Sequence, residues 1–351
     1  MLAAIETAIE RINAAGGVLD RTVGLVVADE GTSTATASSS IQELISQNVD
    51  AIIGPASSLI ALSTLSTIVS AGKLVCSPTA TSIALDDFPD DGLFFRTAPS
   101  DSLQARAIAE TVTQTGAERV AIAYVDDPYG RPFSDAVEAA LADEGLTAVE
   151  RVAFSSTADD LSEQAAAITN SDARVAVVLA NSEDATQLIE ALDDEDTTGL
   201  ATIVVNDALR NPAAPQRLRN IDPELRRRIV GLAAQADSGD AAAPFDPPGL
   251  FAVNAYDCAN LIALAAVRAG SDAPADIATH IAEVSVSGSV CATYADCLAT
   301  IDSGLQIDYN GPSGVTELST RTGDPSRATF DRFAFNAAGR DELQRRIVVV
   351  G

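Results

Sequence analysis

The sequence predicts an α/β protein built as two doubly wound, Rossmann-like lobes. Three observations carry that prediction. Short apolar strands alternate with helices of matching length, the pattern of a parallel sheet. The alternation runs twice, once up to residue 101 and again from Asp101 onward. Several strands end in small hydroxyl-bearing or acidic residues, and in an open parallel sheet those carboxyl ends share the edge that binds ligands. A chain of 351 residues, 47% of them apolar, is long enough for two ordinary cores.

Residues 2–13 place Leu2, Ile5, Ile9 and Ile12 on one helical face, and Gly16-Gly17 stops the helix. Val23 to Ala28 reads as a buried strand, and Thr34 to Gln47 as a helix with Ile41, Leu44 and Ile45 inward. The central stretch runs from Asp50 to Ser82. It opens with the strand Ala51-Ile52-Ile53, breaks at Gly54-Pro55, continues as an Ala/Ser/Leu-rich helix and returns as the strand Leu74-Val75-Cys76. Both strands finish in residues such as Ser57, Ser58, Thr79 and Thr81. Hydroxyls beside a helix N-terminus suit an anion, so this stretch predicts a site for a small carboxylate. The plainer readings are a helix cap at Ser57 or Ser58 and a turn hydroxyl at Thr81. Phe94 to Thr97 is a further short strand.

The second series begins at Asp101. Ser102 to Thr115 reads as a helix, and Val120 to Val125 as a strand entering the turn Asp126-Asp127-Pro128-Tyr129-Gly130. Helices at Ser134–Asp143, Asp159–Thr169 and Glu183–Leu192 alternate with strands at Ala148–Phe154, Val175–Ala180 and Thr202–Val205, the last ending in Asn206-Asp207. Ile229 to Ala233 closes the series. Asp193 to Asp196 is an acidic run, read as a solvated helix end. Residues 234–249 are rich in Pro, Gly, Ala and Asp and read as a loop or domain crossing. Asn254 to Ala269 is a long apolar helix and Asp276 to Val284 a shorter one. Residues 285–325 read as irregular, and Thr329–Phe335 and Gln344–Val350 as closing strands.

A formal charge of -28 argues against nucleic acid or an anionic membrane as partner, because both require basic patches. Lys73 is the sole lysine, a bias that fits either the source genome or a saline habitat. No apolar run reaches membrane-spanning length, and no signal peptide is visible. Cys291 and Cys297 are spaced to close a small disulfide ring, as in an exported protein. Cys76 and Cys258 read as buried free thiols. The spacings match no zinc site, and His280 is the only histidine. There is no GxSxG elbow, Walker A loop or GxGxxG, and no pair of carboxylates is marked as a glycosidase couple. These features predict a binding protein with no cofactor and no metal.

The order NAAGG, IGPASS, CSPTATS, FFRTAPSD, YVDDPYGRPF and NAYDCANLIALA resembles the type I periplasmic binding proteins, in particular the leucine/isoleucine/valine-binding branch that serves ABC importers. The resemblance covers nearly the whole chain. It implies two α/β lobes joined by three crossings, near Asp101, near Gly249 and around 312–325. Lobe one would comprise residues 1–101 and 251–322, and lobe two residues 102–250 and 323–351. It implies that the lobes close over a small ligand at a site that includes Ser57, with Ser58 and the Thr81 hydroxyl and backbone holding an α-carboxylate and the Ala80 carbonyl accepting from the ammonium. Tyr129 would cover the ligand, Asp207 would pair with the ammonium, and Ala180 or Asn181 would take the place of an aromatic contact. The family's first strand, which precedes the helix that here starts at Met1, is missing from the match, and the missing segment would also carry the export signal.

The resemblance thus implies an extracytoplasmic, non-enzymatic, monomeric binder of an aliphatic amino acid, partnered by a membrane permease. A ligand-sensing receptor of the same fold, or a binder of another amino acid or an amide, is the alternative.

Overall fold

A computed structural model describes residues 1–235, 250–314 and 317–351. The chain forms two units, one of Met1–Ser100, Gln235–Ala328 and Val350–Gly351, the other of Asp101–Ala234 and Thr329–Val349. The first unit begins with α1 (Leu2–Ala14), α2 (Thr34–Ser46), β1 (Ala51–Ile53), α3 (Ser58–Ser70), β2 (Leu74–Ser77) and β3 (Phe94–Arg96). The second contains α4 (Asp101–Thr113), β4 (Arg119–Val125), α5 (Gly130–Asp143), β5 (Thr147–Phe154), α6 (Ser162–Asn170) and β6 (Val175–Leu179). It continues through α7 (Ser182–Asp193), β7 (Thr202–Val205), α8 (Ala214–Leu218), α9 (Pro223–Arg227) and β8 (Ile229–Ala234). The chain then returns to the first unit as α10 (Ala252–Ala269), α11 (Pro274–Ile281), β9 (Ser289–Cys291), α12 (Tyr294–Asp302) and β10 (Ile307–Tyr309). Strands β11 (Arg327–Phe335) and β12 (Asp341–Val350) close it.

In the first unit β1, β2 and β3 form a parallel sheet in that order, and β9 pairs in parallel with β10. β2 is buried along its whole length, which explains its unbroken apolar run. α10 packs against this core with Leu261, Leu264 and Cys258 fully buried. The second unit has one sheet in the order β12-β11-β8-β7-β6-β4-β5. Its five strands from β8 to β5 are parallel, and β11 adds antiparallel to β8. β6 and β8 are buried throughout, as inner strands of a covered parallel sheet must be.

Three sequence expectations change. Val23–Ala28 forms no strand: Leu25, Val26 and Val27 are 40%, 40% and 59% exposed. The Asn13 side chain, not a neighbouring strand, bonds the Val23 backbone, at 2.7 and 3.0 Å. The run, β1, and Ile5 and Ile9 of α1 line a cavity of about 810 Å³. A strand needs a neighbouring backbone to complete its ladder, and among the described residues no strand pairs with this run.

Residues 285–325 are not irregular throughout, since they contain β9, α12 and β10. Thr293 caps α12 by accepting from the Asp296 N–H, and the Cys291–Cys297 disulfide ties the helix to β9. The crossing expected near Gly249 and most of the 234–249 loop lie outside the described residues.

Third, Cys76 and Cys258 are joined in a disulfide that fastens the end of β2 to α10, with both residues fully buried. It closes a sequence separation of 182 residues, against 6 for Cys291–Cys297. On loop-closure entropy the long bridge contributes about 5 kcal/mol and the short one about 2 kcal/mol. Replacing Cys76 and Cys258 together by serine should therefore lower the unfolding free energy more than replacing Cys291 and Cys297. Denaturant titration of the two double variants checks the order.

Candidate functional site

The first unit supplies a cluster of hydroxyls where β1 and β2 end. Gly54 follows β1 at φ +135°, a conformation that glycine reaches without a Cβ clash. Three hydrogen bonds then join the loop after β1 to the loop after β2. Ser77 Oγ donates to the Pro55 carbonyl at 2.7 Å, and Thr79 Oγ1 donates to the Ala56 carbonyl at 2.7 Å. The Ser82 N–H donates to Ser58 Oγ at 3.2 Å. A hydroxyl that accepts one N–H keeps its own O–H to donate, so Ser58 retains a donor. Thr81, the residue before Ser82 in the chain, is 8% exposed.

The N-terminus of α3, read from the sequence as an anion site, is served from within the chain. Glu30 accepts from the Ala56 and Ser57 N–H groups at 2.9 and 3.2 Å. A carboxylate there satisfies two open backbone donors and the helix dipole together. Ser57 caps the helix by accepting from the Ile60 N–H. The two amides before α3 are therefore already engaged.

Ala80 has no exposed surface, and its carbonyl accepts from Arg96 Nη1 at 3.1 Å. The sequence resemblance assigns that oxygen to a ligand ammonium. One lone pair of that carbonyl is thus taken by Arg96, whose charge is offset by Asp86 and Asp324 at 2.6 Å each.

In the second unit Asp207 follows β7 and is 8% exposed. Burial pushes its carboxyl up to about 6, against hydrogen bonds from its own backbone N–H and from Gln104 that pull it down. Gln104 is held in turn by donating to the Leu232 carbonyl of β8 at 2.8 Å. Among the described residues no cation pairs with Asp207. Arg210, three residues on, directs its guanidinium to Asp331 and Asp341 at 2.8 and 3.1 Å.

Tyr129 sits at the head of α5. Asp127 fixes that turn by accepting from the N–H groups of Tyr129 and Gly130 at 2.8 Å each. A Cβ on Gly130 would lie 2.1 Å from the Val125 carbonyl oxygen, so the turn requires glycine. The Tyr129 ring packs edge-on against Phe133, with centroids 5.9 Å apart, and its hydroxyl accepts from Asn206 Nδ2 at 3.1 Å. The structure thus gathers Tyr129, Asn206 and Asp207 through one chain of side chains and strand ends.

Ala180 is fully buried, and Asn181 caps α7 by accepting from the Glu183 and Asp184 N–H groups. Both positions are accounted for by the fold of their own unit. Glu30, Arg96, Gln104 and Asn206 do not stand out in the sequence as site residues. Of these only Arg96 carries a signal there, as a charged residue inside the apolar strand Phe94-Phe95-Arg96.

The folded state raises the Asp207 carboxyl from 3.8 to about 6. It therefore binds the proton more tightly than the unfolded chain does, and stability is lost as pH rises through about 4 to 6. The difference between the folded and unfolded carboxyl is equivalent to about 3 kcal/mol at most. Asp207→Asn should raise the unfolding free energy of the ligand-free protein at pH 7 by about 1–3 kcal/mol. It should also flatten the pH profile between 4 and 6. Urea titrations from pH 4 to 8 check both.

A model of the family described as periplasmic binding protein matches residues 1–300. The chain is 26% identical over 328 residues to the chemotactic signal transduction system substrate-binding protein BasB of Halobacterium salinarum, covering 90% of this chain and 78% of that protein. It is 27% identical over 278 residues to the Leu/Ile/Val-binding protein BraC3 of Rhizobium johnstonii, covering 76% and 73% respectively. Among solved structures, the leucine-binding protein LivK of Thermotoga maritima superposes with a TM-score of 0.77 at 19% identity, over 99% of this chain and 95% of that one.

Proposed function

The chain belongs to the periplasmic binding protein family, and on that premise we propose that it is the substrate-binding component of an ABC importer, holding a small aliphatic amino acid. It binds and does not catalyse. The observation that carries this reading is Asp207, a carboxylate withdrawn from water with no cation beside it among the described residues. Burying an unpaired charge costs several kcal/mol, and a ligand ammonium supplies the missing partner. In the first unit the Ser58 hydroxyl suits a carboxylate, since hydrogen bonds to a carboxylate are charge-assisted. In this reading ligand binding favours a form that a membrane permease recognises. Family membership implies a location outside the cytoplasm, and the proposed acting form is a monomer.

Asp207 also supports leucine-type ligands over their acids lacking the amine. The side chain of the amino acid would have to be accommodated by surfaces other than Ala180 and Asn181. A second reading, ligand sensing, draws support from BasB, whose name assigns it to chemotactic signal transduction. There the loaded protein would be read by a transducer instead of a permease.

Isothermal titration against aliphatic amino acids should give saturable binding at one site. A ligand at a hundredfold its dissociation constant should add about 2.7 kcal/mol of stability. Affinity should fall as pH drops below about 6, where protonation removes the Asp207 charge. Binding confined to sugars or nucleosides would overturn the zwitterion reading. Pull-down of a permease, as opposed to a transducer, by the loaded protein separates transport from sensing.

A further inference from the structure

Gln104 is buried on the inner face of α4, in line with Ile108 and Thr111, which are buried too. A polar side chain among such neighbours must find its partners inside the fold. Gln104 Nε2 donates to the Leu232 carbonyl at 2.8 Å, and the same side chain donates to the Asp207 carboxylate. An amide nitrogen carries two protons, so both are spent. Val205 pairs with Gly231 in the last registered step between β7 and β8, which puts Leu232 level with Asn206. Gln104 therefore bridges α4 to the carboxyl ends of two neighbouring strands, all within the second unit.

These partners decide which way the amide faces. Turned over, it would set Oε1 against the Asp207 carboxylate and the Leu232 carbonyl, acceptors with no proton between them. As it stands, Oε1 is buried without a partner among the described residues. An orphaned buried acceptor is unfavourable, which leaves the two donor contacts as what this side chain contributes. The contact to Asp207 matters because that carboxylate has little else. Its own backbone N–H is the other bond, and Arg210 is committed to Asp331 and Asp341. A hydrogen bond to a carboxylate favours the charged form and restrains its orientation.

We propose that Gln104 is a positioning residue for ligand recognition: braced on the Leu232 carbonyl, it holds the Asp207 carboxylate ionised and oriented to receive a ligand ammonium. This rests on the reading of Asp207 as the partner of that ammonium. A glutamine is required because one nitrogen must donate twice without bringing a charge of its own; glutamate lacks the protons, and a lysine would neutralise Asp207 in the ligand's place.

The test compares leucine with isocaproate, which keeps the side chain and carboxylate but lacks the amine. Calorimetric affinities for both, thermal unfolding and the Asp207 carboxyl midpoint by carbon-detected NMR are measured on the wild type, on Gln104→Met and on Ile108→Ala. Methionine keeps the reach of the side chain and offers no donor. In Gln104→Met the preference for leucine should fall at least tenfold, and the midpoint of the ligand-free protein should rise by about one pH unit. Ile108→Ala, on the same face of α4, should lose stability and keep both wild-type values. An unchanged preference or an unchanged midpoint in folded Gln104→Met overturns the proposal alone, and so does an equal fall in Ile108→Ala. If Gln104→Met does not fold, the wild-type protein decides. There a Gln104 side-chain amide proton should shift with pH at the Asp207 midpoint, and the absence of such a shift overturns the proposal. A wild type that binds leucine and isocaproate equally overturns the reading of Asp207 beneath it as well.

Discussion

A carboxylate taken out of water must be matched by positive charge or by a full set of donors, and the buried aspartates of this protein meet that demand in both ways. In the first unit Asp86 and Asp324 are matched by Arg96, at 2.6 Å each. In the second, Asp207 is held by Gln104 and its own backbone N–H, with no cation beside it among the described residues, and its carboxyl is driven up to about 6. Asp257 in the first unit meets the demand in the second way: it accepts from the Tyr309 hydroxyl and from the Ser313 N–H and hydroxyl, and burial drives its carboxyl up to about 6 as well.

The first unit is organised around the loop that follows β2. Ser77 and Thr79 lace it to the loop after β1, the Cys76–Cys258 disulfide anchors its root to α10, and Arg96 holds its crest. Loops carry function when a rigid scaffold presents them, and here the scaffold reaches the loop through buried bonds. The same economy governs α3, whose N-terminal amides are closed by Glu30 and not left for a ligand.

Much of this was legible in the sequence because it depends on local pattern. The break at Gly54-Pro55, the cap at Ser57, the strand ending in Asp207 and the Asp127-to-Gly130 turn are all set by residues within a few positions of one another. What escaped depends on distance along the chain. Cys76 and Cys258 are 182 residues apart and each sits in apolar surroundings where a free thiol is the simpler reading. Arg96 meets Asp324 across 228 residues, and Tyr129 meets Asn206 across 77. The Val23–Ala28 run failed for another reason. Its composition is that of a strand, but composition does not provide the neighbouring backbone that a strand requires.

The most direct test of the central claim is the ionisation of Asp207 itself, followed by carbon-detected NMR of its carboxyl with and without a saturating aliphatic amino acid. The expected midpoint is near 6 in the free protein, with a clear fall when ligand is bound, because an adjacent ammonium favours the charged form. A midpoint that stays in place while the ligand saturates its site would contradict the claim, and would remove Asp207 from ligand recognition.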